Sequence, residues 1–438
     1  MTTKFLKMRA HTFDLANRRE GKRPAQETLH RARNTRQSAS HNPSPGHPPS
    51  AARGSPRKPQ HSGKVGLAGQ FSISSKTAGS AREMARVGLF RKLAAGPKPS
   101  TEVSVFAALS PFRIEPHFDP RVWGSRDLRP WFDCIVDEGQ ESHATASGYI
   151  SKVPIGEVWL TGDMCQVATG PHTGKTLARL FEEEPEALLG KGVPSPASPL
   201  LIKVIFAREK LSVQVHPDDK LAQKYGQPRG KTECWYVLDA EPGAKVAAGL
   251  KPGVTLDQVR SGIHDGTLEN SLELLSTGPG EMIFVDAGTV HSIWPGAVLL
   301  ETQQNCDLTY RMYDYGRPRG LHIEKSIEAT RLVTHAGKVS PQVLKDRTVL
   351  IDESYFCVER IPLAASRAST TLPGADETTP GLSYLFAAAG SGRLTSPSFS
   401  EIDLPPRGIV AVPASSPIFA VLDLGGLDLI RISPRWPR

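Results

Sequence analysis

From residue 112 onward, apolar and polar positions alternate with a period of two in a series of short runs separated by glycine and proline. That period places successive side chains on opposite faces and predicts strands. The runs fall at 112–116, 155–160, 200–206, 211–216, 230–238, 281–285, 298–304 and 310–315, and shorter ones recur across 347–438. The 200–206 run, Leu-Leu-Ile-Lys-Val-Ile-Phe, is continuous except for Lys203, as expected of a central strand. Helical spacing is rarer. It predicts short helices over 175–189, 220–225, 255–263 (with Thr255 and Gln258 placed for a capping box), 268–275 and 322–332. Many short strands, strong turn signals and few helices predict a mainly β fold, a barrel or jelly roll, with room for two in tandem.

The first hundred residues do not follow this pattern. They hold 20 Lys+Arg against 4 Asp+Glu, a net of +16, whereas the remaining 338 residues carry 33 basic and 41 acidic residues, a net of −8. Pro, Ser and Arg dominate residues 18–64, and there is too little apolar surface to offset chain entropy. A disordered basic tail is expected over 1–100. Three alternatives stand beside it: a segment that binds nucleic acid or an anionic surface, a transit-peptide-like leader, and a true start near Met84. The folded part, 101–438, is mildly acidic and carries no signal for nucleic acid. Cys134, Cys165, Cys234, Cys306 and Cys357 are scattered without a CxxC pair, as expected of free thiols in a reducing compartment. No apolar run approaches the roughly 20 residues of a membrane-spanning helix. A cytoplasmic protein is expected.

Candidate chemistry begins at Leu211–Asp219, LSVQVHPDD. Alternation puts Gln214 and His216 on one strand face, and Pro217 ends the strand. Lys231 and Glu233 share a face of the 230–238 strand, and His291 follows the Gly-bearing turn at 286–290. Gln214, His216, Glu233 and His291 thus form a candidate ligand set. Two imidazoles, a carboxylate and an amide oxygen suit Zn²⁺ with a position left for water or substrate, and Fe²⁺ accepts the same two-His, one-carboxylate core. Gly170–Lys175 is a near miss to a phosphate-binding loop, with three residues between its glycines where four are needed.

Several runs occur together that resemble the type I mannose-6-phosphate isomerases, in particular the short bacterial form. These are 212–219 (SVQVHPDD), 230–237 (GKTECWYV), 287–292 (AGTVHS) and 301–317 (ETQQNCDLTYRMYDYGR), with Glu115-Pro116, Trp123-Gly124, 155–163 (IGEVWLTGD) and 170–177 (GPHTGKTL) upstream. The resemblance covers roughly 112–332. It implies a cupin jelly-roll fold, a catalytic module over 101–332, and a second, metal-free cupin-like module over 333–438. It also implies one Zn²⁺ per chain and interconversion of mannose 6-phosphate and fructose 6-phosphate. Within it His216, Glu233 and His291 are zinc ligands, Gln214 the fourth ligand of the larger members, and Arg311 the active-site arginine. Asp286 departs from the pattern, since proline more often precedes this turn.

Isomerisation moves a proton between C1 and C2 through a cis-enediol, so negative charge develops on both oxygens. A zinc ion and Arg311 answer that charge. Lys231 is a candidate for binding phosphate or shuttling protons. Glu301 is a candidate base, with zinc-bound water as the third option. Arg317 and Arg319 read as surface charges, with phosphate binding the lesser alternative, and Trp159 and Trp235 as core. The partner expected is a small phosphosugar, with monomer and homodimer both open. Two other functions share the ligand set: an iron-dependent cupin dioxygenase, and a non-catalytic sugar-phosphate-binding cupin.

Overall fold

A computed structural model describes residues 108–136, 152–193, 197–363, 369–372 and 381–436. The expected tail at 1–100 lies outside the described residues. The fold is mainly β with a few short helices, as expected, and its described strands pair antiparallel in four sheets.

Two sheets form a first sandwich. One has seven strands in the spatial order Gly337–Val339, Met282–Val285, Glu233–Ala240, Ala297–Gln304, Leu200–Phe206, Ile155–Trp159, His117–Ser125. The other has five, ordered Tyr310–Tyr313, Val213–Val215, His291–Ile293, Lys245–Leu250, Leu272–Ser276. Ile205, Trp235, Val237, Ile283 and Leu299 from the first meet Val246, Ala248 and Ile293 from the second in an apolar interior.

A second sandwich joins an eight-stranded to a four-stranded sheet. Leu385, Val410, Val412 and Leu429 pack there against Leu394, Leu404 and Val421. A third apolar layer joins the sandwiches, with Ile202, Val204, Cys234, Tyr236 and Leu300 on one side and Phe356, Tyr384, Phe386, Ile409 and Ile432 on the other. Apart from Lys203 the Leu200–Phe206 strand is therefore apolar on both faces, which is why its alternation is hidden in the sequence; all seven of its residues are buried. Two short strands cross the division expected at residue 332/333. Gly337–Val339 closes one edge of the seven-stranded sheet, and Phe112–Glu115 pairs with Ile409–Val412 of the eight-stranded one.

The helix at Leu256–Asp265 has the expected capping box, with Thr255 and Gln258 bonded reciprocally. The helix expected over 268–275 is instead a 3-10 turn, Leu268–Ser271, followed by the strand Leu272–Ser276. Pairing with Lys245–Leu250 and complete burial of Leu272 outweigh local helical spacing. The helix expected over 175–189 is divided into Leu177–Glu183 and Pro185–Leu189, because Pro185 has no N–H to continue the first and is suited to open the second.

Candidate active site

Strand register assembles the site from two facing rows. On the five-stranded sheet Arg311, Gln214 and His291 are direct cross-strand neighbours. On the seven-stranded sheet the row runs Trp235, Glu301, Lys203, Trp159. Glu233 lies two residues before Trp235 on the same face, and His216 stands one residue beyond the end of Val213–Val215. All seven sequence candidates, Gln214, His216, Lys231, Glu233, His291, Glu301 and Arg311, come together at one end of the first sandwich.

His216, Glu233 and His291 converge in full burial, their ligand atoms all within 4.8 Å of one another. His216 Nε2 lies 3.6 Å from Glu233 Oε2, and His291 Nε2 lies 3.4 Å from Oε1. Each imidazole is oriented through its other nitrogen: His216 Nδ1 donates to the Leu308 carbonyl and His291 Nδ1 to that of Thr289, both at 2.9 Å. Nε2 is thereby left as the unprotonated, lone-pair nitrogen of each ring. Burial pushes the basicity of both rings down, that of His291 to about 4, so both are neutral at neutral pH. His216 Nε2 and Glu233 Oε1 are buried without a hydrogen-bond partner. A divalent cation fits this donor set: two neutral imidazoles and a carboxyl group whose free nitrogen and oxygen atoms face one another.

Gln214 flanks the set, its amide nitrogen 3.2 Å from His291 Nε2 and its oxygen accepting from the Ser212 hydroxyl at 3.1 Å. A half-turn of the amide exchanges the two ends without displacing the group. Asp286, in place of proline, stiffens the turn before His291 by other means. Its carboxylate accepts from the Thr289 hydroxyl at 2.7 Å and the His335 amide at 3.2 Å.

Beside the ligand set runs a buried charge network. Lys231 Nζ is 3.1 Å from Glu233, while Lys203 Nζ is 2.9 Å from Glu301 and 3.3 Å from Glu157. Trp235 and Trp159 donate their indole N–H groups to Glu301 (2.9 Å) and Glu157 (2.8 Å). Burial opposes ionisation of Glu301, but the ammonium groups of Lys203 and Lys231 outweigh it and hold its carboxyl below the usual range. Burial and the Glu301 charge push Glu233 the other way. The two carboxylates thus have different proton affinities although both are buried.

The network opens onto a cavity of about 460 Å³. Arg121, Lys203, Lys231, Arg311 and Arg319 line it, against the carboxylates of Glu157, Glu301 and Asp307. Arg311 is held by the Gly320 carbonyl, 3.0 Å from Nη1. Arg317 and Arg319 are not surface charges: both side chains are mostly buried and share the buried Asp314, with Arg319 bidentate at 2.6 and 2.7 Å. Their alternation in a loop, with nothing nearby to mark Asp314 as buried, conceals this. Lys203, Glu157, Arg121 and Asp307 were not singled out in the sequence. A lysine inside an otherwise apolar central strand was the available signal, since a buried charge requires partners.

The family description "Phosphomannose isomerase type I, catalytic domain" matches residues 136–248. The chain is 32% identical over 299 residues to the mannose-6-phosphate isomerase of Streptococcus mutans, spanning 65% of this chain and 87% of that protein. It is 33% identical over 272 residues to mannose-6-phosphate isomerase ManA of Bacillus subtilis, spanning 58% and 80%. A crystal structure of the mannose 6-phosphate isomerase from Bacillus subtilis superposes with a TM-score of 0.62 at 29% identity, covering 74% of this chain and 99% of that one. Phosphomannose isomerase from Salmonella typhimurium, at 16% identity and a TM-score of 0.58, covering 75% and 100%, shares the fold.

Proposed function

Because the chain belongs to the type I phosphomannose isomerase family, we propose that this cavity interconverts mannose 6-phosphate and fructose 6-phosphate through a cis-enediol. One observation carries the reading: a closed His–Glu–His donor set lies beside a cavity lined by five cations and three carboxylates. The excess positive charge suits a phosphate dianion, and the donor set suits one divalent metal.

His216, Glu233 and His291 would hold the metal, with Gln214 able to present its oxygen as a fourth ligand. Zinc is the proposed ion on the strength of the family resemblance, since two imidazoles and one carboxylate accept zinc and iron alike. When bound, it supplies Lewis-acid stabilisation of the charge that develops on the sugar oxygens. Arg311, cationic at every relevant pH, holds an oxygen of the enediolate by charge-assisted hydrogen bonds. Lys231 keeps its proton, because Glu233 and Glu301 offset the burial that would remove it. It is therefore a donor toward oxygen or phosphate. Glu301, ionised and aligned by Lys203 and Trp235, is the carboxylate assigned to accept the proton that moves between C1 and C2. It is a weak base that returns the proton readily, because the two lysines hold its carboxyl below the usual range. Catalysis is assigned to the first sandwich, and the second is read as a metal-free cupin module. No described helix is long and apolar enough to cross a membrane.

A coupled assay of fructose 6-phosphate formation, with metal content measured on the same sample, tests this reading. Conversion with near-stoichiometric zinc is expected. Stoichiometric iron with oxygen consumption and no conversion would overturn it in favour of a dioxygenase.

A further inference from the structure

Asp219 follows His216 by three residues and opens the helix Asp219–Lys224. Its carboxylate joins segments that are distant in sequence. Oδ1 accepts from the Gly230 amide at 2.7 Å and from Gln304 Nε2 at 2.9 Å. Gln304 in turn accepts from the Thr232 amide at 2.9 Å, and the Lys231 amide donates to the Pro217 carbonyl at 3.0 Å. Residues 230–232, which carry Lys231 and lead directly to Glu233, are therefore held against the turn that carries His216. The approach is close: a Cβ on Gly230 would lie 2.4 Å from the Asp218 carbonyl carbon.

The donor on Asp219 Oδ2 comes from the second sandwich. Tyr355 sits in the turn between Thr348–Asp352 and Phe356–Ile361, and its hydroxyl donates to Oδ2 at 2.9 Å. That turn is itself fixed, by Glu353 N–H to the Phe356 carbonyl at 2.9 Å and Arg435 N–H to the Tyr355 carbonyl at 2.8 Å. The phenol is held above its ordinary pKa by burial and by the Asp219 carboxylate, so it remains a donor.

We propose that Tyr355 is a positioning residue for the active site. Its hydroxyl fixes the Asp219 carboxylate, and through it the 216–219 turn and the 230–233 segment that bear His216, Lys231 and Glu233. The second sandwich is then part of the catalytic apparatus while contributing no group that touches substrate. The assignment rests on the proposed isomerase site. It differs from a packing role in a testable way, because removing the hydroxyl alone leaves the ring and its apolar contacts in place.

Tyr355→Phe, made in the full chain, decides it through three measurements: kcat and KM for the sugar phosphates, the rate of zinc loss to a chromogenic chelator, and the thermal midpoint. A partner in direct contact with a metal ligand typically governs about 10–100-fold in affinity or activity. One step further out, we expect kcat to fall and zinc loss to quicken by about three- to tenfold, with KM within twofold. Asp219→Asn should show the same pattern more strongly, and adding Tyr355→Phe to it should change little further, because both act through one contact. Wild-type kcat and zinc-loss rate in Tyr355→Phe would overturn the proposal, even with a lowered thermal midpoint. So would losses that simply multiply with those of Asp219→Asn. If the wild-type protein fails to interconvert the two sugar phosphates, the proposed reaction falls, and the zinc-loss rate still decides the role of Tyr355.

Discussion

The two sandwiches place inward-facing side chains by the same strand alternation and fill the space in opposite ways. The interior of the second is mainly apolar, with Leu385, Leu394, Leu404, Val410 and Leu429 closely packed. Its buried carboxylates lie at the margin, Glu359 paired with Arg431 and Asp423 bonded to the Gly425 and Leu427 amides. The first is apolar only at one end. On the Leu200–Phe206 strand Ile205 joins the apolar half while Lys203, two residues earlier, joins the charge network. On Ala297–Gln304 the same step separates Leu299 from Glu301, and on Glu233–Ala240 it separates Trp235 from Glu233. Burying a charge costs several kcal/mol even when it is paired, and an apolar filling of similar volume is often as stable or more so. Half of one interior has nonetheless been kept ionic. Stability does not explain that choice, and a site for an anionic substrate does.

The sharpest way to break the comparison is to remove one buried group from each interior. His291→Ala should abolish metal binding and lower kcat/KM by roughly 10³-fold or more, a loss of about 4 kcal/mol in transition-state stabilisation. Leu385→Ala, in the second interior, should cost roughly 2–5 kcal/mol of folding stability and leave metal content per folded molecule unchanged. Metal analysis beside a denaturation curve reads both. Equal metal loss in the two variants would show that the interiors are not functionally distinct.

Making the first interior resemble the second is the next test. Lys203→Met leaves Glu157 and Glu301 buried without their shared cation, and should destabilise by about 3–5 kcal/mol. Replacing Glu157 and Glu301 by Leu in the same chain should recover most of that loss, while isomerase activity stays absent. If the triple variant is as unstable as Lys203→Met alone in urea denaturation, the network contributes to stability in its own right.

Acid should separate the regions as well. His291 is held down to about 4 in the folded protein, and His216 is lowered too, against an ordinary 6.5 when unfolded. Between those values the two rings bind more protons in the unfolded chain than in the folded one, so their contribution to stability falls as pH falls. For His291 the loss is of order 3 kcal/mol from above pH 6.5 to below pH 4. No histidine lies beyond His335, so the second sandwich adds no histidine term. Glu233, whose carboxyl is raised in the folded protein, acts in the opposite sense and is common to both chains, so the difference is the test. Between pH 6.5 and 4 the thermal midpoint of the metal-free His291→Ala variant should fall less than that of the metal-free wild type.

Much of the first interior is legible in the sequence, for a physical reason. Strand alternation fixes which residues share a face, so Gln214 pairs with His216, and Lys231 with Glu233, on local spacing alone. Conversely, pairing between strands distant in sequence is not written locally. Lys203 looks like a flaw in an apolar run until register sets Glu301 beside it and brings Glu157 within ion-pair reach. Arg319 looks solvent-facing because its partner, Asp314, gives no sign of its own burial. The helix expected at 268–275 fails likewise, since its strand pairs with residues some twenty-five positions earlier. The second sandwich is legible as short strands, and the contact of Tyr355 with Asp219, 136 residues apart, is not.

Arg311 gives the finest test, because it belongs to the first interior and yet lies outside the metal set. It neighbours Gln214 in register, and its guanidinium is held at the cavity wall by the Gly320 carbonyl. Arg311→Ala should therefore keep full metal content and lower kcat by about 10²-fold, the cost of one preorganised donor to a developing oxyanion. Arg311→Lys should recover only part of this. An ammonium keeps the charge but loses the planar fork that can bond Gly320 and a sugar oxygen together. Metal analysis with steady-state kinetics separates the outcomes. Metal loss in Arg311→Ala would make Arg311 part of the scaffold of the ligand set. Wild-type kcat in Arg311→Ala would leave the metal ligands and the lysines to carry the charge of the enediolate without it.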